Sequence, residues 1–273
     1  MLADIHNHTC IFSPDALMTP DELISASVAR GLSVVGVTEH FEYDNPDPMD
    51  DVQTFDLDEY DRAFAEWKDK CPSSLILLKG IEFGYQTHTA PVIDKIASSR
   101  DFDVVLLSNH IYNGRDVYYG GEKIYKTDKH ILFSEYISKM AEMCENVTEF
   151  NVASHFDYIN RYNPDPEAYI LYEDCPEEFD RFFEALIAKD KCLEINTRSI
   201  HKLLLKGSSH IMHDEAIIKR YIAMGGKLIS LGSDSHTSDT LGILFEETIE
   251  YLNSLGVNEL CYFIKREPVL YTI

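Results

Sequence analysis

The sequence predicts an α/β fold in which βα units surround a parallel sheet or barrel. Short β-branched or leucine-rich runs alternate with longer amphipathic ones. Across 273 residues, 45 % hydrophobic and 11 % aromatic side chains are ample for a folded core. Seven runs read as strands, at 3–7, 33–37, 75–79, 103–107, 149–153, 192–196 and 227–231.

After the first strand, Thr19-Pro20-Asp21-Glu22 supplies an N-cap, a proline at the first helical position and acids in the first turn; the helix it opens runs to Arg30, where Gly31 stops it. Helical spacing also marks 57–70, 129–145, 176–190, 211–224 and 239–255. Asp58 and Cys175-Pro176 mark starts, and Gly225-Gly226 and Gly256 mark stops. Segments 41–56 and 156–175 break the alternation, are rich in Asp, Asn, Pro and Tyr, and read as loops over one face. They share an Asn-Pro-Asp-Pro tetrad, but such matches arise easily in turn-forming sequence and we read no duplication. No low-complexity tract or linker divides the chain, so a single domain over 1–273 is expected.

Lys and Arg total 24 against 47 Asp and Glu, a formal charge of −23 that repels polyphosphate backbones and anionic lipid. Nucleic acid and membrane are therefore excluded as expected partners. There is no stretch of about 18 apolar residues and no charged-then-apolar leader pattern, so a cytoplasmic location is expected. The six cysteines are scattered with no C-x-x-C pair and read as reduced packing thiols. Oligomeric state leaves no signature.

The eleven histidines are informative by position. The first strand ends in His6-Asn7-His8, and at a strand's period of two both imidazoles project from one face, about 7 Å apart. The next strands run into Thr38-Glu39-His40, Gly80-Ile81-Glu82, Ser108-Asn109-His110 and Ser154-His155, and the seventh into Gly232-Ser233-Asp234-Ser235-His236. Six of the seven strands thus deliver a His, Asp or Glu at their C-terminal ends, the face where parallel β/α barrels build sites. A single histidine after a strand is ordinarily a hydrogen-bonded loop residue, and Glu82 or Asp234 alone could cap a helix. Recurrence at equivalent positions of successive units is what argues for a shared ligand. His88, His130, His201, His210 and His213 lie away from strand ends and read as structural.

Eight such side chains exceed one tetrahedral ion and suit two or three divalent ions sharing a carboxylate. Imidazole and carboxylate without thiolate fit zinc, manganese or iron. Neighbouring metals activate water and stabilise attacking and leaving oxygens in phosphoester hydrolysis, and their charge offsets the acidic surface locally.

The order H-x-H, T-E-H, G-I-E-F-G, S-N-H, S-H-F-D, N-T-R and G-S-D-S-H, from His6 to His236, resembles the polymerase and histidinol phosphatase (PHP) family, and within it the monofunctional histidinol-phosphate phosphatases. The resemblance implies a distorted seven-stranded (β/α)7 TIM-like barrel, a trinuclear metal centre, and hydrolysis of L-histidinol phosphate in histidine biosynthesis. By motif, it implies that His6, His8, Glu82 and Asp234 hold one ion, that Glu82 bridges to a second held by His110 and His155, and that His40 and His236 hold a third. Asp15, in Phe12-Ser13-Pro14-Asp15, is the counterpart of the third ion's remaining ligand. The nucleophile would be a metal-bridging hydroxide held by Glu82 and Asp234, not a side chain.

A phosphate also needs bidentate donors, which arginine supplies. Arg198 follows the sixth strand, the one strand that brings no metal ligand, and Arg161 lies six residues beyond His155; both are similar to phosphate-binding arginines of the family. Tyr118, in the loop after the fourth strand, is a further candidate for contacting the phosphate, while Glu42, Asp116 and Asp157 could meet the cationic parts of histidinol. The general acid for the leaving group stays unassigned. Two other readings compete: the same metals could serve another small phosphate monoester or cyclic diester, or the chain could be a non-catalytic metal-binding module. The intact arginine pair favours a monoesterase over a diesterase, and the complete set of expected ligand types argues against lost catalysis.

Overall fold

The computed structural model describes residues 1–47 and 53–273. β1 (Ala3–Asp4) leads through α1 (Pro20–Ala29) to β2 (Val34–Phe41), and α2 (Leu57–Lys70) leads to β3 (Ile76–Gly84). After α3 (Ala90–Ser98) comes β4 (Val104–Ser108), then a ribbon of β5 (Ile111–Tyr112) and β6 (Arg115–Asp116) and the single turn α4 (Val117–Gly120). α5 (Lys129–Asn146), β7 (Val152–Ala153), α6 (Pro176–Ala188) and β8 (Cys192–Asn196) follow. α7 (Thr197–Leu205) and α8 (Glu215–Ala223) precede β9 (Ile229–Gly232), then α9 (Phe245–Ser254) and the hairpin β10 (Glu259–Ile264) and β11 (Glu267–Thr272).

Seven parallel strands pair in the order β1-β2-β3-β4-β7-β8-β9. The two outer strands are joined by Ile5 N donating to Leu231 O (3.3 Å), His8 N donating to Ser235 O (2.9 Å) and a parallel bridge between Asn7 and Ser235. The sheet is thus a nearly closed α/β barrel. All eight residues of β2 are buried, as strands covered by helices on one side and barrel interior on the other must be. Among the described residues no helix is long and apolar enough to cross a membrane.

The expected helix 57–70 forms with those bounds, while other elements shift for local reasons. β2 and β3 run to Phe41 and Gly84, so His40 and Glu82 lie inside strands, paired with each other in register. Helix 239–255 starts only at Phe245, because Gly242 and Leu244 take positive φ (59° and 60°). Helix 211–224 starts at Glu215, where Asp214 accepts from Ala216 N (3.2 Å). The sequence reading missed α3, α7 and the hairpin β10–β11. That hairpin turns on Lys265-Arg266, both at positive φ, without the Asn-Gly pair that ordinarily marks such a turn. Of the expected loop 41–56, residues 48–52 lie outside the described residues. Segment 156–175 holds two 3₁₀ turns and buries Asp157, Asn160, Tyr169 and Ile170. Four cysteines are buried as expected, but Cys10 is exposed and Cys71 half-buried.

Candidate metal centre

The nine expected ligands converge at the C-terminal mouth of the barrel. Glu82, on β3, is the hub. Its Oε1 lies 2.8 Å from His155 Nε2 and 3.3 Å from both His6 Nε2 and His110 Nε2; its Oε2 lies 2.8 Å from His40 Nδ1 and 3.4 Å from His8 Nε2. Asp234 Oδ1 is 3.3 Å from His8 Nε2 and 3.8 Å from His6 Nε2. On the outer side, Asp15 Oδ2 lies 2.9 Å from His236 Nε2 and 3.6 Å from His40 Nε2. Triads with ligand atoms in mutual reach include His6–His8–Glu82, Glu82–His110–His155 and His8–His40–His236.

The donor set fits divalent cations. His6 Nε2, His8 Nε2, Glu82 Oε2 and Asp234 Oδ1 are buried, face one another and make no hydrogen bond. Unpaired buried polar atoms are costly, and a knot of imidazole and carboxylate atoms without hydrogen bonds is what a cation resolves. Burial alone would raise the Glu82 carboxyl, but His6, His40 and His110 hold it well below the usual carboxylate range. Burial opposes protonation of His110, yet Glu42 and Glu82 push its pKa up to about 10. A field that favours a proton so strongly favours a metal ion in the same place.

A second layer fixes the imidazoles. His6 Nδ1 donates to Glu194 Oε1 (2.8 Å), and Glu194 Oε2 accepts from His155 N (2.7 Å). His110 Nδ1 donates to Glu42 Oε1 (2.7 Å). Each contact turns the other ring nitrogen toward the centre as a lone pair, the carboxylate–histidine–metal arrangement. Beneath His8 and His40, Ser13 Oγ donates to Glu39 Oε2 (2.6 Å) and accepts from His40 N (3.1 Å); burial pushes the Glu39 carboxyl up to about 7 despite its hydrogen bonds from Ser13 and Thr9. The sequence reading missed Glu194 and Glu39. The available signal was a single carboxylate inside an otherwise apolar strand, as in Cys192-Leu193-Glu194-Ile195.

A cavity of about 420 Å³ opens beside the centre. Its cationic lining is Arg161, Arg198 and Lys202, the last missed from sequence although it lies one helical turn beyond Arg198 on α7. Arg161 Nη1 donates to Asp234 Oδ2 (2.5 Å) and Arg198 Nη1 donates to the Asp234 carbonyl. The rest of the lining includes Glu42, Asp116 and the rings of Tyr118, Tyr158 and Tyr162. Tyr118 is exposed at the mouth and packs edge-on to Tyr162, 5.1 Å between centroids. Two expectations need correction. Asp157 does not line the cavity but is fully buried behind Arg161, and Glu42, although it lines the cavity, is engaged by His110. Of the histidines read as structural, His213 is buried against Asp157, and His88 and His130 are exposed and paired with Asp44 and Asp174.

Fold and site together define a metal-dependent phosphoesterase built on a β/α barrel, with a cationic pocket opening on a carboxylate-bridged histidine cluster. Residues 4–198 match the PHP domain, and the chain belongs to that family. It is 30 % identical to a probable histidinol-phosphatase of Clostridium acetobutylicum over 97 % of this chain and 98 % of that protein. It is also 30 % identical to the histidinol-phosphatase of Lactococcus lactis subsp. lactis, over 95 % and 93 % of the two chains. Among solved structures it is similar to the Lactococcus lactis histidinol phosphate phosphatase complexed with zinc, L-histidinol and phosphate, with a TM-score of 0.84, 27 % identity and 98 % of each chain covered. A putative histidinol phosphatase from Listeria monocytogenes (TM-score 0.73, 17 % identity, 90 % and 99 % covered) bears on the fold alone.

Proposed function

We propose that this chain hydrolyses L-histidinol phosphate to L-histidinol and inorganic phosphate. The observation that carries the reading is its near full-length likeness to a phosphatase holding zinc, histidinol and phosphate together, supported by a cavity whose lining includes two arginines, a lysine, carboxylates and tyrosine rings. His6, His8, Glu82 and Asp234 would hold one divalent ion, Glu82 with His110 and His155 a second, and Asp15, His40 and His236 a third. Such ions supply Lewis acidity, lowering the pKa of water toward ~7 and offsetting charge on the phosphoryl oxygens.

The chain's own residues bind and orient. Arg161 and Arg198 would grip the phosphoryl group, and a guanidinium suits that task because its parallel N–H groups match two oxygens at once. Lys202 adds charge at the rim. The organic part of the substrate would lie toward Tyr118, Tyr158 and Tyr162, with Asp116 favouring a cationic amine. A lining that carries both guanidinium groups and a carboxylate therefore fits an amino-alcohol phosphate better than a neutral sugar phosphate.

The test is phosphate release from L-histidinol phosphate beside p-nitrophenyl phosphate, sugar phosphates and cyclic diesters, on protein loaded separately with zinc, manganese or iron. A strong preference for histidinol phosphate is expected. Weak turnover of it beside good turnover of another ester would overturn the substrate, and no turnover in any metal would favour a non-catalytic metal-binding role.

A further inference from the structure

Behind Arg161 lies a buried polar chain that direct substrate contact does not use. Arg161 Nε donates to Ser199 Oγ (2.9 Å), and Ser199 Oγ donates in turn to Asp157 Oδ1 (2.9 Å). On the far side, His213 Nε2 lies 3.3 Å from Asp157 Oδ2, and Tyr169 OH reaches the same oxygen at 3.4 Å. Three separate segments meet here: 156–175, the first turn of α7, and the stretch leading into α8. Asp157, Ser199, Arg161 and His213 are all buried.

Two physical points give this chain a task. The Ser199 hydroxyl has one proton; given to Asp157, it leaves a lone pair facing Arg161, so the hydroxyl has a fixed direction. With Nη1 on Asp234 and Nη2 on Asn196 Oδ1 (2.8 Å), the guanidinium is held on three sides, leaving two of its five N–H groups for a ligand. The second point concerns charge. A buried guanidinium needs a counter-charge, and Asp234 is shared with the metal centre. Asp157, reached through one hydroxyl, is an anion with no part in that centre.

We propose that Asp157, Ser199 and His213 are positioning residues that hold the Arg161 guanidinium in the plane in which it meets the substrate's phosphoryl oxygens. The proposal rests on the reading of Arg161 given under Proposed function. It explains why a histidine outside the metal cluster is buried against a carboxylate that no substrate can touch.

The test compares Ser199→Ala, Asp157→Asn, His213→Gln, Arg161→Ala and the Arg161→Ala/Ser199→Ala double variant, all metal-loaded. It reads kcat and KM on L-histidinol phosphate, inorganic phosphate affinity by calorimetry, and metal content. Ser199→Ala and Asp157→Asn are expected to lower kcat/KM about 10-fold and weaken phosphate binding in step, at unchanged metal content. In the Arg161→Ala background, Ser199→Ala should add less than a twofold effect. A merely structural role would lower the unfolding midpoint and leave phosphate affinity alone. Wild-type kcat/KM and phosphate affinity in folded Ser199→Ala, beside a damaged Arg161→Ala, would overturn the brace, as would multiplicative effects in the double variant. Wild-type behaviour of Arg161→Ala itself would overturn the reading of Arg161 and the brace with it. Should Asp157→Asn fail to fold, the Ser199–Arg161 cycle alone decides.

Discussion

Asp234 sits at φ 49°, in the left-handed region that costs a non-glycine residue roughly 1–2 kcal/mol. Its surroundings account for the strain. In this conformation Oδ1 faces His6 and His8, Oδ2 takes the Arg161 guanidinium, and the main-chain carbonyl takes Arg198. One residue thereby joins the metal cluster to both arginines. Arg198→Ala should lower kcat/KM for a phosphate monoester by roughly 100-fold, the loss of a charge-assisted contact of about 2–3 kcal/mol, with metal content unchanged by elemental analysis. Full activity would remove Arg198 from the site. Glu194→Gln preserves shape but weakens the polarisation of His6; metal affinity should fall about 10–100-fold in chelator competition. Unaltered retention would make Glu194 a packing residue. The histidines and acids at the strand ends were legible because they recur where successive βα units end, although only His40 and Glu82 lie inside strands. Glu194 was not, because a carboxylate inside an apolar strand has meaning only once its partner, 188 residues away, is beside it. Asp157 was misplaced for the same reason: its acidic loop suggested contact with a cationic part of the substrate, whereas packing against His213 and Ser199 buries it.

At the scale of elements, the site depends on β2 and β3 lying in strict register, His40 opposite Glu82. Gly84, at the end of β3, leaves bare backbone where a Cβ would come within 1.8 Å of the Glu42 carboxylate, so that Glu42 can reach His110. Helix ends are tied across the fold as well. Lys189 Nζ, after α6, donates to the carbonyls of Cys144, Glu145 and Val147 at the end of α5 (2.7, 2.7 and 2.8 Å). Lys189→Met should destabilise the protein by about 1–3 kcal/mol in urea unfolding while leaving kcat unchanged, since those carbonyls lose a charged donor. An unchanged midpoint would mean water replaces it fully. Amphipathic helices with strong caps were readable, as α2 shows; α9 was overextended because its residues have helical composition but the backbone at Gly242 and Leu244 does not comply. The C-terminal hairpin was missed because its turn is made by two charged residues instead of a recognised turn pair.

For the molecule as a whole, the formal charge is −23, and five of its acids, Glu82, Asp234, Glu42, Glu194 and Glu39, are buried at one centre. Cations that bind only the folded state stabilise it by mass action, by roughly 4 kcal/mol at a thousand times the dissociation constant. Removing metal with a chelator should therefore lower the melting temperature, and restoring zinc or manganese should raise it in a concentration-dependent way. A melting temperature insensitive to both would argue that the cluster folds without needing a cation. The (β/α) alternation announced the barrel, but its seam could not be read from any local stretch. That seam joins Asp4 to Ser233, whose backbone N–H and hydroxyl both donate to the Asp4 carboxylate across 229 residues of chain. This has a consequence for the protein's birth on the ribosome. At about 5–20 residues per second, the nascent chain displays His6 and His8 for tens of seconds before Asp234 and His236 are made. Asp15, His40, Glu82, His110 and His155 join them during that interval, but the ligand sets that need Asp234 and His236 stay incomplete, so their closure belongs to the end of translation.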